Sequence, residues 1–416
     1  MTTAREAPLP ASTPADDPRA ARVLLIVFFT VFLDLVGFGI ILPSLPLYVQ
    51  SMGGTPDTVG FLFSCFAGTQ FVATPILGRL SDRVGRRRVI LTSLAGNAAS
   101  MVLFALASHA RLLPLLFVSR ILAGATAGNL AACQAAVADV TRGAARARGM
   151  GRIGAAIGLG MALGPVLGGW ASKLGPEAAP LASAALAALD LLAALALMPE
   201  TRPDQPAPKE GAPASQGGPP SLAALLRDPR IAAVLALNFV TFLYMTTMQV
   251  VVPLTAHDRF GWAIAETNNL FGFIGFVMLV VQGGLIGRLA KAFGPGTLVV
   301  AGALSSAAAL SILAKAGVPP ALVAGSGLLA LGLGLTMPIL SALASEYAGA
   351  SRQGFVLGFA QSAGGLARTI GPSLWGFLYG HASAATAFFG AAVTALVALV
   401  LATGLRAAGQ ATKSRG

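Results

Sequence analysis

The sequence predicts an all-α membrane protein of twelve transmembrane helices, arranged in two pseudosymmetric six-helix bundles with both termini in the cytoplasm. Three observations predict it. Hydrophobic residues make up 55% of the 416 and charged residues 11%, far below the roughly 25% charged that a soluble domain carries. Twelve helices of about 20 residues consume roughly 240, which leaves only short loops. The second half of the chain also echoes the first at a nearly fixed offset.

The elements follow in order. A polar tail (1–21) precedes span one (22–50), an apolar run too long for a signal peptide and without a clear cleavage site. Span two (56–79) ends in the basic stretch Gly78-Arg-Leu-Ser-Asp82-Arg83-Val-Gly85-Arg86-Arg87-Arg88, which opens span three (88–108). Span four (112–138) contains Arg120 and is closed by Asp139. Span five (149–172) is glycine-rich around Gly164-Pro165, and span six (178–198) holds Asp190. Residues 199–230 are the one long interior stretch of linker composition, rich in Pro, Gly and charge. Spans seven to twelve follow at 231–256, 266–288, 295–315, 319–345, 353–380 and 384–405, then a tail from 407 to 416. The N-terminal bundle is thus 22–198 and the C-terminal bundle 231–406.

Basic residues orient the chain. The outer loops hold only Arg111, Lys173, Arg259 and Lys315, and Arg120 and Arg368 fall inside spans. The remaining Lys and Arg mark the cytoplasmic side. The formal charge of +12 is therefore a topology signal and excludes nucleic acid as the partner. Cys65 and Cys133 lie in apolar runs and read as small hydrophobes. His109, His257 and His381 fall in or beside outer loops as solvated groups. No CxxC or HExxH spacing occurs, which excludes a metal centre and a histidine-based membrane enzyme.

The repeat is read from four matches. Gly78-Arg79-Leu80 with Gly85 recurs as Gly287-Arg288-Leu289 with Gly294. Gly164-Pro165 recurs as Gly371-Pro372, Pro43 as Pro253, and Asp139 as Glu346. All four shifts lie between 207 and 210. Parallel halves of this kind place a binding site between them.

Counting 1.5 Å per residue puts Asp34 roughly 17 Å and Arg120 roughly 18 Å from the inner face of a ~30 Å core. An unpaired charge there costs about 2.5–3.5 kcal/mol, so the two are expected to share a polar cavity as the proton-coupling network. A fixed ion pair locking helices one and four is the structural alternative. Arg368, at roughly 20 Å by the same count, is placed to attract an anionic or zwitterionic substrate group. Gln70, Asn129, Gln134, Asn238, Tyr244, Gln249 and Gln361 are further candidates for the cavity wall, each equally able to serve as an interhelical hydrogen bond. Asp190 reads as bundle glue or as a secondary proton relay.

The loop Gly78–Leu91 resembles the signature loop of the major facilitator superfamily almost position for position. Arg120-Ile-Leu-Ala-Gly124 resembles its basic span-four motif. Gly154…Gly158…Gly164-Pro165…Gly168-Gly169 resembles the glycine-proline motif of its drug/proton antiporters. Residues 22–200 are most similar to the tetracycline/proton antiporters, through Asp34 with Gly37 and Gly39, Pro43 and Pro46, Gln70 before Pro75, Ala138-Asp139-Val140-Thr141, and Pro199-Glu200. Ser100 and the acid-free span nine depart from that family, whose acids there serve metal–tetracycline transport. Lys291 stands near the second copy's Asp82 position.

The resemblance implies a cytoplasmic gate built from Gly78, Asp82, Arg83, Gly85, Arg86, Arg87, Asp139 and Glu346. Asp82 is expected beneath the N-terminus of span eleven, in a cluster that forms only when the inner ends of the bundles meet. The glycine ladder is expected to seal span five against its partner in the other half. The implied function is secondary active transport: proton-coupled efflux of a small amphipathic compound by alternating access. A metabolite carrier of the same fold, for a sugar, peptide or siderophore, is the alternative. Energy comes from the proton gradient with no cofactor, and the partners are the substrate, protons and the lipid bilayer. The protein is expected to be monomeric. Arginine's excess over lysine, with abundant Ala and Gly, suggests a GC-rich genome and a bacterial inner membrane.

Overall fold

A computed structural model describes residues 18–175, 177–201 and 225–413. The expected N-terminal tail and linker fall largely outside the described residues. Residues 407–413 of the expected C-terminal tail instead continue the last helix.

The chain is helical throughout the described residues. Eleven of its helices, counted as continuous membrane-length segments, are long and apolar enough to cross a membrane. It is a multi-pass membrane protein. The end at which the first helix begins is called the near end below, and the opposite one the far end.

Four expected spans are interrupted. Span one is α1 (Pro18–Ile41) followed by the short α2 (Leu45–Ser51). Pro43 has no N–H to continue the helix, and Pro46 suits the first turn of a new one. Span two is α3 (Pro56–Val84) and span three α4 (Arg86–Ala110). They meet at Gly85, whose φ of +107° favours glycine. Span four is α5 (Leu113–Ala125) and α6 (Asn129–Val140), broken at 126–128. Spans five and six are α7 (Gly143–Ala171) and α8 (Ala178–Leu197).

Span seven is α9 (Pro229–Met245) and α10 (Thr247–Phe260). Span eight is α11 (Ile264–Val280), a π turn (Val281–Leu285) and α12 (Ile286–Phe293). Then come α13 (Pro295–Ala314), α14 (Pro319–His381) and α15 (Ala384–Lys413).

The expected break between spans ten and eleven is a reversal within a single helical element, α14, of 63 residues. A straight helix of that length would reach about 95 Å, three bilayer cores end to end. Its two limbs instead fold back on each other. Gln353 donates to Ser345 eight residues earlier, a separation of about 12 Å along a straight helix. The first limb packs on α13, where the Ser305 hydroxyl donates to the Leu328 carbonyl at 2.9 Å. The second limb packs on α9, where Trp375 Nε1 donates to the Leu243 carbonyl at 2.8 Å.

Two main interfaces join the first six spans to the rest, α3 with the second limb of α14 and α7 with α11, and α2 also touches α10. The two main ones copy one another. A Cβ on Gly68 would stand 3.2 Å from Thr369 Cγ2. A Cβ on Gly275, 207 positions after Gly68, would stand 2.8 Å from Ala162 Cα, 207 positions before Thr369.

The Gly-Pro motifs are also equivalent. A Cβ on Gly164 would lie 2.7 Å from Gly39 Cα, so α1 and α7 touch backbone to backbone. Its mate Gly371 meets Leu243 in the same way, 3.3 Å from the carbonyl oxygen.

Both joining interfaces stop midway. From Gly169 to Gly158, α7 faces α11; beyond that, Gly151, Gly154, Gly283, Gly284 and Gly287 would meet no atom within 4 Å. On the other side Gly78, Gly354 and Gly358 are equally clear. The polar links between the sets lie in the far half: Gln50 with Asp258, Ser64 with Ser373, and Asp57 with His381. The molecule is closed at its far end and parted at its near end.

Candidate functional site

A cavity of about 310 Å³ lies where the joining interfaces begin to part. Its walls come from both sets: Asp34 and Phe38 of α1, Phe63, Phe66 and Gln70 of α3, Asn97 and Met101 of α4, Arg120, Thr126 and Asn129 of span four, Met161 of α7, and Met245, Gln249 and Arg368 from the second set. The breaks in spans four and seven fall beside it. Interrupted helical backbone at membrane depth is tolerated where it is enclosed in protein or lines a cavity.

Asp34 is held by two neutral amides. Asn97 Nδ2 donates to one carboxylate oxygen at 2.8 Å and Asn129 Nδ2 to the other at 3.4 Å. Arg120 shares the cavity but makes no ion pair with Asp34. Its guanidinium lies over the Phe104 ring, 5.0 Å from the centroid, and donates to Ser119 Oγ at 3.1 Å. The equal depth inferred from counting residues is corrected by the packing. Arg120 faces Phe38, Ile41, Leu42 and Leu45, about one to three turns beyond Asp34 on the far side. Arg368 likewise rests over an aromatic ring, 4.9 Å from the centroid of Phe242. Neither arginine forms an ion pair among the described residues.

The other candidates divide. Gln70, Asn129 and Gln249 line the cavity. Asn238 instead ties α9 to the second limb of α14 through the Ala360 carbonyl. Tyr244 is wholly enclosed within the second set. Gln134 and Gln361 are exposed and outside the cavity. Asp190 is 1% exposed, with one oxygen taking the Thr30 hydroxyl and the other, Oδ2, meeting no donor.

The expected near-end gate is an assembly of the first set alone. Arg86 bridges Asp82 and Asp139, its Nε reaching Asp139 at 2.9 Å, while its backbone N–H donates to Glu200 at 2.9 Å. Arg87 donates to the carbonyls of Met198 and Leu195, both at 2.7 Å. Arg83 stands in the last turn of α3, and Gly78 faces open space.

Glu346 is exposed and makes no ion pair among the described residues. Pro295 occupies the repeat position of Arg86, so the second set has no guanidinium there to gather its acid. The expectation that the cluster needs both near ends together is therefore corrected: Asp82, Arg86 and Asp139 assemble with those ends apart.

The glycine ladder is corrected in the same way. Gly164 serves the α1–α7 crossing, Gly168 approaches both Ile40 and Asn268, and Gly169 and Gly158 face α11. Pro165 packs beside Gly39, and Gly154 meets nothing.

Asn97 was legible by the criterion that flagged Asn129, an amide in an apolar run, and was missed. The Phe and Met walls carry no such signal, because a cavity-facing Phe and a lipid-facing Phe look alike in sequence.

A central cavity between two repeat-related sets of membrane-length helices defines a membrane carrier. The chain belongs to the Major Facilitator Superfamily, whose family model matches residues 27–295 and 260–415. It is 31% identical to the class C tetracycline resistance protein of Escherichia coli, over 88% of this chain and 92% of that one. It is 32% identical to major facilitator superfamily domain-containing protein 10 of Bos taurus, over 84% of this chain and 86% of the relative. The crystal structure of the human organic anion transporter MFSD10 aligns with a TM-score of 0.70 at 28% identity, covering 93% of this chain and 100% of that chain. Similarity to the tetracycline resistance proteins therefore extends beyond the first half, where the motifs had located it. Family and fold are those of membrane transporters of small molecules.

Proposed function

We propose that the chain is a proton-coupled exporter of small amphipathic compounds in a bacterial inner membrane. On this reading it has twelve spans, with the second limb of α14 as the eleventh and both termini cytoplasmic. The bundles 22–198 and 231–406 rock about the cavity, and the near-end opening is the cytoplasm-facing state. It works as a monomer on the proton gradient alone.

One observation carries the reading. Among the described residues Asp34 is the single carboxylate on the cavity wall, and its partners are amides. A guanidinium bonded to it would lock the charged form. An amide donates to a carboxylate and, turned over, accepts from a carboxylic acid. Asp34 can therefore take and release a proton without breaking an ion pair. A donor or cationic group of the substrate competes with that proton, while Arg120 and Arg368 hold an anionic group and the phenyl rings hold the apolar body. A proton entering down about 150 mV yields roughly 3.5 kcal/mol, enough for about a 300-fold gradient of a neutral substrate.

A second reading has its own support. Two unpaired arginines against one carboxylate also suit a purely anionic metabolite, as the organic-anion relative suggests. Such an anion binds best when Asp34 is protonated, so proton and substrate would travel together. Substrate affinity measured against pH in proteoliposomes separates the two: acidification weakens binding for exchange and strengthens it for co-transport. Flux that ignores a pH gradient overturns both.

A further inference from the structure

We propose that Asp258 is the positioning residue of a far-end latch between the two sets of helices. The proposal rests on the alternating-access reading above.

Asp258 sits in the last turn of α10 (Thr247–Phe260), beside the free carbonyls where the helix dipole disfavours an acid. Its carboxylate is used elsewhere. One oxygen accepts from Gln50 Nε2 of α2 at 3.1 Å, and the other accepts the Tyr379 hydroxyl at the end of α14 at 2.6 Å. Tyr379 belongs to the same set as Asp258 and fixes its orientation. Gln50 belongs to the other set and is the group held.

Gln50 lies in α2 at the far tip of span one, and Asp258 lies at the far tip of span seven. Their bond crosses between the two sets, so rocking the sets apart at the far end must break it. Asp57 and His381, 3.4 Å apart, clasp the sets beside it. The latch holds the far end shut while the cavity faces the near end.

The test is the distance between nitroxide labels on H109C and K315C, one at the far end of α4 and one at the far end of α13, in a chain lacking Cys65 and Cys133. The full chain is measured in proteoliposomes with and without a pH gradient. The wild type is expected to show a short and a long distance. Asp258→Ala and Gln50→Ala should each raise the long-distance population about fivefold, the worth of one hydrogen bond. The double variant should add nothing further. Gln50→Glu, which sets two carboxylates against each other, should open the far end more, whereas Asp258→Asn, which lets two amides pair, should restore closure.

Unchanged distances in Gln50→Ala and Gln50→Glu, or independent effects of Gln50→Ala and Asp258→Ala, overturn the latch. The Gln50 variants leave the Asp258–Tyr379 bond intact, so they keep the test open if Asp258→Ala fails to fold. A single wild-type distance under every condition removes alternating access itself, which is a different failure.

Discussion

The two halves of this chain share a scaffold but not a chemistry. Glycine contacts repeat at a shift of 207 across both joining interfaces, whereas the ionisable groups of the cavity do not repeat. Asp34 has no acidic mate, since 241–244 read Thr, Phe, Leu, Tyr. Gly327 stands where Arg120 would recur, Pro295 where Arg86 would, and Met161 is the mate of Arg368. Packing tolerates duplication because both halves must cross the same bilayer and meet on the same axis. A proton site gains nothing from a copy, because a second carboxylate in one small cavity would repel the first. On the proposed reading the division of labour is therefore physical: the repeat sets the hinge, and the first half sets the coupling.

The most severe way to break that asymmetry is Asp34→Asn. Asparagine keeps the volume and the contacts with Asn97 and Asn129 but carries no proton. Flux driven by a pH gradient in proteoliposomes should fall at least a hundredfold, by analogy with the loss of an essential acid–base group, with folding and insertion intact. Undiminished gradient-driven flux in the variant would move the coupling out of the first half.

The next largest effect is expected at Arg120. Removing a buried guanidinium in Arg120→Gln should raise the substrate's KM about 10- to 100-fold, the worth of a charge-assisted hydrogen bond. Its seat over Phe104 makes Arg120→Lys a poor rescue, because an ammonium lacks the planar face that stacks.

Arg368→Gln sharpens the comparison from the other half. Arg368 is only half-buried and on the proposed reading shares the anionic group with Arg120, so a KM change of about tenfold is expected. Gradient coupling, measured as flux with and without ΔpH, should stay that of the wild type. Lost coupling would place part of the proton chemistry in the second half.

How far this was legible in sequence depends on which force was acting. Bilayer solvation acts on every residue, so the apolar runs were readable from hydropathy, and the repeat was readable from matched Gly and Pro positions. Asp34, Arg120 and Arg368 were readable because a charge at membrane depth is costly without a role. The partners were not. Whether Asp34 meets Arg120 or Asn97 depends on helix rotation and on the break at 126–128, neither of which has a sequence period. The reversal of α14 falls where the sequence parts spans ten and eleven, between 345 and 353, but that both limbs belong to one helical element was not legible. Gln50 and Asp258 were hidden too, since a polar residue at a helix end ordinarily means only solvent.

The smallest expected effect belongs to Asp82, and it tests the near end. Its side chain is 64% exposed and its bond is to Arg86, four residues on, whereas Asp139 is 16% exposed and joins two helices. Exposed ion pairs contribute about 0–1 kcal/mol, while a partly buried charge-assisted bond contributes about 1.5–3. Asp82→Asn should therefore lower the thermal midpoint of the purified protein less than Asp139→Asn does. If the cluster only staples the first set, flux in both variants should fall in step with stability. A different result would be informative. Flux lost in Asp82→Asn at an unchanged midpoint would mean that Asp82 gains a partner when the near ends close, one that this near-end-open arrangement leaves apart. The second half would then contribute to gating with groups its sequence does not advertise, and the asymmetry drawn above would hold for the cavity but not for the gate.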